Sequence, residues 1–143
     1  MSSDDRNTKF LSMVGAWSNG DVSVVDPICD PNVVFHVFPF GDMDLEAQKQ
    51  FMIAFNQAFP DFTADIMEEF SDGNVSIHRW TCSGTFTGQS PMMPVGPTGK
   101  KTFANGTHIV HWKDGKMVEV FHYGDWLGWL IGCGVLPPLG APA

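Results

Sequence analysis

Apolar residues in this chain follow a helical period at the start and a two-residue period over most of the remainder. Phe10, Met13, Val14 and Trp17 recur three or four apart, which predicts a helix over about 7–19, stopped by Asn19-Gly20. Residues 1–6 read as a polar, frayed start. A shorter helical turn follows over 22–28, and Asp30-Pro31-Asn32 breaks it. The run Val33-Val34-Phe35-His36-Val37-Phe38 is β-prone and ends at Pro39, with His36 on the face of Val34 and Phe38. Asp44 can cap the next helix, and Glu46 favours its first turn. Ala47, Phe51, Phe55 and Phe59 give that helix an aromatic stripe that reads as core, and Pro60 ends it.

After Asp61 the period changes and stays changed. Residues 62–70 set Phe62, Ala64 and Ile66 against Thr63, Asp65 and Met67, and 71–74 (SDGN) form a turn. A second strand covers 75–87, where Gly84 predicts a bulge or bend. Residues 88–99 (GQSPMMPVGPTG) are a Pro/Gly-rich connection whose two methionines read as exposed. Two further strands, 103–112 and 116–123, flank Lys113-Asp114-Gly115, and Asp125 opens a short apolar helix over 126–133. The tail 137–143 (PPLGAPA) reads as irregular and mobile.

The last hairpin carries three of the five histidines, so its register matters. With a three-residue loop, Trp112 pairs with Lys116, Val110 with Val118 and His108 with Val120. His108, Val110, Trp112, Val118, Val120 and His122 then share one face, with His108 and His122 diagonal neighbours roughly 7 Å apart. A two-residue Asp-Gly turn shifts the register by one and separates them. Both registers are open on sequence grounds. His111 and His78 are expected on the other face, toward solvent or a subunit contact.

Helices followed by long strands predict an α+β fold, a cone-shaped curved antiparallel sheet packed on N-terminal helices, in one domain over 1–143. Eight Met and twelve Phe suit a wide apolar interior. The net charge of −8, with no basic patch, argues against nucleic acid and anionic membrane as partners. Cys29, Cys82 and Cys133 form no C-x-x-C, which fits reduced, buried thiols in a cytoplasmic protein. The N-terminus lacks a signal-peptide core, and the longest apolar run is too short to cross a bilayer.

No nucleophile elbow, P-loop or dinucleotide fingerprint occurs. His108 and His111 lie three apart on a strand, hence on opposite faces, so they make a poor metal pair. Two imidazoles in an apolar cone suit proton transfer next to a carbonyl, one accepting and the other donating. His36 is a candidate pocket wall, and Asp125 reads first as a helix cap.

Phe59-Pro60-Asp61, Gly84-Thr85-Phe86-Thr87-Gly88, Pro97-Thr98-Gly99-Lys100, the 108–115 segment and the ending Gly132-Cys133-Gly134-Val135-Leu136-Pro137 carry a family resemblance. In that order and spacing they resemble the SnoaL-like polyketide cyclases, in the superfamily of nuclear transport factor 2, ketosteroid isomerase and scytalone dehydratase. The resemblance spans nearly the whole chain. It implies a cystatin-like α+β barrel, usually oligomeric (here a homodimer), whose apolar pocket binds a small hydrophobic molecule. It implies ring closure by aldol chemistry with no cofactor and no metal. His108 matches the family's pocket histidine. His122 stands where the family carries a catalytic aspartate, which is a departure, and Asp125 matches a second acidic position. Catalysis is therefore expected from His108, His122 and Asp125, in a pocket walled by Trp17, His36, Phe55, Trp80, Val110 and Val120. The reaction expected is cyclisation, isomerisation or dehydration of a hydrophobic carbonyl compound. The other reading is a binding or dimerisation module of the same fold, its cone plugged by Phe51, Phe55, Met67 or Trp80.

Overall fold

The computed structural model describes residues 2–140. Helix α1 (Ser3–Asn19) begins earlier than the periodicity predicts, because Ser2 caps it by accepting from the Asp5 N–H. Residues 3–6 are therefore helix, and Arg6 is buried. Gly20 ends the helix in the left-handed conformation. Two 3-10 turns (Val22–Val24 and Asp26–Ile28) lead into strands β1 (Cys29–Val37) and β2 (Gly41–Met43). Asp44 caps α2 (Leu45–Ala58), its Oδ1 accepting from the Ala47 N–H at 2.8 Å. Gln48, Met52, Phe55 and Ala58 form the buried stripe of α2. The predicted stripe was rotated: Ala47 is exposed and Phe51 only half-buried.

Strands β3 (Thr63–Asp72), β4 (Val75–Thr85), β5 (Lys101–Lys113) and β6 (Lys116–Gly124) follow, then helix α3 (Trp126–Gly132). The tail has no helix or strand over 133–140, and the rest of it lies outside the described residues. The six strands form one sheet in the order β2-β1-β6-β5-β4-β3. The α+β fold is as predicted, but the sheet is mixed. β1 lies parallel to β6, while every other neighbouring pair is antiparallel. Helices α1, α2 and α3 cover the concave face, where a fully buried aromatic such as Phe10, Phe55 or Phe59 contributes about 1.5–3 kcal/mol.

The last hairpin adopts neither predicted register. Lys113 pairs with Lys116 across a two-residue turn, Asp114 (φ 51°) and Gly115 (φ 75°) both being left-handed. A bulge then follows: Trp112 pairs with Met117 and His111 with Glu119, so Val118 is an extra residue on β6. Beyond the bulge Val110 faces Val120 and His108 faces His122 directly. The two-residue turn alone would separate the histidines, and the bulge restores them to one face. Val118 leaves that face and Met117 takes its place, fully buried.

Gly84 is not a bulge. It pairs regularly with Thr102, and a Cβ there would stand 3.2 Å from the Trp129 ring and from Phe59. The irregularity lies on β3, where Met67 is the extra residue between the Ile66–Trp80 and Glu68–Arg79 pairs.

Candidate active site

Pairing across the sheet aligns four ionisable residues on the concave face. Glu69 on β3 faces His78 on β4, His78 faces His108 on β5, and His108 faces His122 on β6. His78 was expected outside. Strand alternation puts it on the same side as Trp80, and it is fully buried, stacked on Phe10 at 3.9 Å.

The three histidines differ in what they touch. His78 is fully satisfied: Nδ1 donates to Glu69 Oε2 at 2.5 Å, and Nε2 accepts from Ser76 Oγ at 2.8 Å. Ser76 Oγ in turn accepts from Trp112 Nε1 at 2.8 Å. Burial lowers the pKa of His78 against the pull of Glu69, so it is a neutral member of this chain. His108 Nδ1 accepts from Trp80 Nε1 at 2.8 Å, which leaves its proton on Nε2. Gly106 makes room for that bond, because a Cβ there would run into the Trp80 ring.

His122 stacks on His108, ring centroids 4.2 Å apart and planes at 30°. It is 3% exposed, and neither ring nitrogen has a hydrogen-bond partner among the described residues. Burial pushes its pKa down to about 3. His108 is lowered well below its ordinary value, by burial first and then by the neighbouring His122 and His78. Both rings are neutral near pH 7. Together they offer two N–H donors, His108 Nε2 and one nitrogen of His122, and one free lone pair, on the other nitrogen of His122.

The pair borders a small apolar cavity. Phe10, Met13, Val14 and Trp17 of α1 close one side, Phe62, Ala64 and Trp80 another, and Trp126 the end. The free space open to the centre of a water molecule is about 30 Å³, enough for one or two waters. Trp17 meets His122 edge-on at 6.0 Å, and Trp126 meets it at 5.5 Å.

Of the nine residues expected here, His108, His122, Trp17 and Trp80 border this cavity. Phe55 packs edge-on against Trp17 at 5.3 Å and lines a different chamber. Val110 and Val120 are paired and buried on the same face, away from the cavity walls. His36 is not a wall. It lies on the convex face, bonded to Glu119 at 2.8 Å and Asp42 at 2.7 Å, and Glu119 first among these partners raises its pKa. The reason is phase: Val33, Phe35 and Val37 point inward, so His36 points out. Asp125 is exposed and caps α3, Oδ1 accepting from the Gly128 N–H at 2.9 Å, so its carboxylate is committed outside the cavity. Phe10, Met13, Phe62, Ala64 and Trp126 were not predicted as walls. The helical spacing of the first pair and the alternation of the second pair carried the signal.

The family model for SnoaL-like polyketide cyclases matches residues 10–130. The chain belongs to this family. SnoaL-like proteins are small-molecule enzymes that take hydrophobic substrates, and solved structures similar to this one share the fold. AclR, a candidate hydroxylase from Streptomyces galilaeus, is 25% identical with a TM-score of 0.82, over 96% of this chain and 89% of that one. IdmH, a candidate polyketide cyclase from Streptomyces antibioticus, is 22% identical with a TM-score of 0.77, over 90% of this chain and 98% of that one. An LEH-like epoxide hydrolase from M. tuberculosis is 13% identical with a TM-score of 0.69, over 91% and 90%. No curated protein matches. Among the described residues no helix is long and apolar enough to cross a membrane.

Proposed function

We propose that this SnoaL-like protein catalyses proton transfer on a hydrophobic carbonyl compound, using His108 and His122 without a cofactor. The observation that carries this reading is His122, a neutral, buried imidazole with both nitrogens unpartnered, stacked on a histidine that holds one N–H free. Such a group is costly in a folded core unless it serves a ligand. In the proposed step His122 takes the proton from the carbon next to a carbonyl. The C–H electron pair moves into the enolate, whose oxygen accepts a hydrogen bond from His108 Nε2–H. The enolate carbon attacks a second carbonyl to close a ring, and the proton returns from His122 to the new alkoxide. With nothing to attack, return of the proton at another carbon gives isomerisation, and loss of a β-hydroxyl as water gives dehydration.

Burial reverses the order that reference values give this histidine and the family's aspartate. Burial brings His122 to about 3, near the usual carboxylate range of ~4. The conjugate acid differs: it is a cation, which burial disfavours.

The narrow cavity favours a second reading, a binding or dimerisation module. A pocket for a drug-sized ligand has about 300 Å³ or more, so turnover requires α1 or Trp126 to yield. A direct test uses benzoylacetone, a hydrophobic β-diketone, in D₂O. Exchange of its α-protons, followed by NMR, should run well above the rate with free imidazole at equal concentration. His122→Asn should lower it by roughly 10²–10⁴-fold. A parent no better than imidazole, or a fully active His122→Asn, leaves the module ahead. We further propose a two-fold homodimer in the cytoplasm. The three free, buried thiols and the apolar convex face support this.

A further inference from the structure

The buried stripe of α1 consists of Arg6, Phe10, Met13, Ala16 and Trp17, so a cation opens an otherwise apolar row. Arg6 is 9% exposed, yet no carboxylate among the described residues pairs with it. The chain's other arginine gives the contrast. Arg79 is exposed and bonds Glu68 Oε1 through both Nε and Nη2. An arginine does not shed its proton, and a buried charge without a partner is costly. Arg6 is therefore the cation in this fold that calls for an anion from outside the chain.

Its neighbours do not supply one. Asn7 donates its side-chain amide to Glu69 Oε2 at 3.0 Å, and the same oxygen accepts from His78 Nδ1, so Glu69 is committed. On the other side Lys9 Nζ donates to Gly115 O at 2.6 Å and ties α1 to the β5–β6 turn. Asp4, Asp5 and Asp114, the other carboxylates at this end, are exposed, and none is bonded to Arg6. Within the guanidinium only Nε is sealed without a partner; Nη1 and Nη2 are not sealed. The stem is thus packed into the core while the outer fork of N–H groups meets solvent.

The charge around it fits an anion too. Lys113 and Lys116 pair across the turn that Lys9 reaches, so four of the chain's eight Lys and Arg residues gather at one end of a protein of net charge −8. Trp112 and Met117 point into the core, so Lys113 and Lys116 point to the convex side and act on this site through their field alone. We propose that Arg6 is the base of a second binding site, one that takes a phosphate group. Parallel N–H bonds from Nη1 and Nη2 match two phosphate oxygens, and a dianion gains more from the surrounding lysines than a carboxylate does. The site is separate from the histidines. Trp17, which meets His122, lies three turns further along α1, roughly 16 Å away.

The chain holds only two arginines, so its Nε–H signals in ¹⁵N–¹H NMR read the site directly, with Arg79 as the internal control. Inorganic phosphate and methyl phosphate are titrated at constant ionic strength, with acetate for comparison. Phosphate should shift the Arg6 signal saturably and leave Arg79 in place. Tighter binding of methyl phosphate marks a phosphate monoester as the ligand, and tighter binding of inorganic phosphate marks the free ion; either supports the site. The parent's thermal midpoint should rise with phosphate. Arg6→Met should lose that rise and weaken binding by about tenfold or more, while matching or exceeding the parent's midpoint without phosphate. Lys113→Gln with Lys116→Gln should weaken binding several-fold at low salt only. An unmoved Arg6 signal, or equal and unsaturable shifts of Arg6 and Arg79, overturns the site. Acetate binding as tightly as phosphate overturns the phosphate assignment. If Arg6→Met does not fold, the parent titrations decide alone. None of these readouts involves His122, so failure of this site and failure of the proton-transfer reading are distinguishable.

Discussion

His122 and His78 have the same side chain, the same face and nearly the same burial, yet only one has its hydrogen bonds made. That contrast separates a structural histidine from a candidate base and sets the residue-scale predictions. His108→Asn and His122→Asn should each keep the fold and lose roughly 10²–10⁴ in turnover, measured by initial rates beside circular dichroism. His122→Asp restores the family's residue. Reference pKa values alone move the alkaline or acid limb of its pH profile to lower pH, but the buried setting reverses this direction. His122 already titrates at about 3, and desolvation would push an aspartate there up from ~3.9. The limb should therefore move up.

Stability follows from the same shifts. The folded pKa of His122 is depressed, so as pH falls below about 6.5 the unfolded chain takes up its proton first. This term is full above about 6.5 and declines by about 1.4 kcal/mol per pH unit toward the folded value near 3. The lowered pKa values of His108 and His78 act in the same direction. His36 acts oppositely: its raised pKa stabilises fully below about 6.5 and that gain is lost as pH rises through the folded value. Thermal midpoints should fall between pH 6.5 and 4.5, and the slope should be shallower in His122→Asn. A parent with a flat profile would show that His122 is hydrated.

At the scale of elements, two positions decide the site. Gly106 admits the Trp80 ring, so Gly106→Ala should displace that indole and break its bond to His108 Nδ1. Tryptophan fluorescence should change and activity should fall, although residue 106 touches no substrate. Asp125→Ala should instead cost about 1 kcal/mol of stability, the usual value of a lost helix cap, and leave activity within a few-fold. A dead but folded Asp125→Ala protein would return Asp125 to the catalytic list. The element boundaries were mostly legible, because Asp44, Asp125, Gly20 and the alternation around Trp80 are local signals. The Val118 bulge was not. It depends on Met117 and Val120 both finding the core, and neither residue announces that in the sequence.

For the whole molecule, the convex face carries Phe70, Ile77, Ile109 and Phe121 in one row across β3, β4, β5 and β6, and the row continues to His36 on β1. Phe70 is 58% exposed and Phe103, elsewhere on this face, 65%. So apolar a sheet face should be covered by a second copy, and sedimentation at micromolar concentration should give twice the monomer mass. A monomer there would sink the dimer. The single-domain organisation should appear as one cooperative unfolding transition.

Local sequence signals carried the order of helices and strands except the short β2, the family and the two histidines on one hairpin. These rest on periodicity, caps and motif spacing, which are short-range. Long-range packing set which face His36 and His78 occupy, that β1 runs parallel to β6, and that a bulge brings His108 opposite His122. In strands apolar on both sides, such as 33–38, alternation gives the period but not the phase. The phase is fixed when α1 and α2 dock on one face, and that contact joins residues far apart in the chain. Protonation was decided there too, since His78, His108 and His122 carry the same imidazole and differ only in the partners and burial that the fold provides.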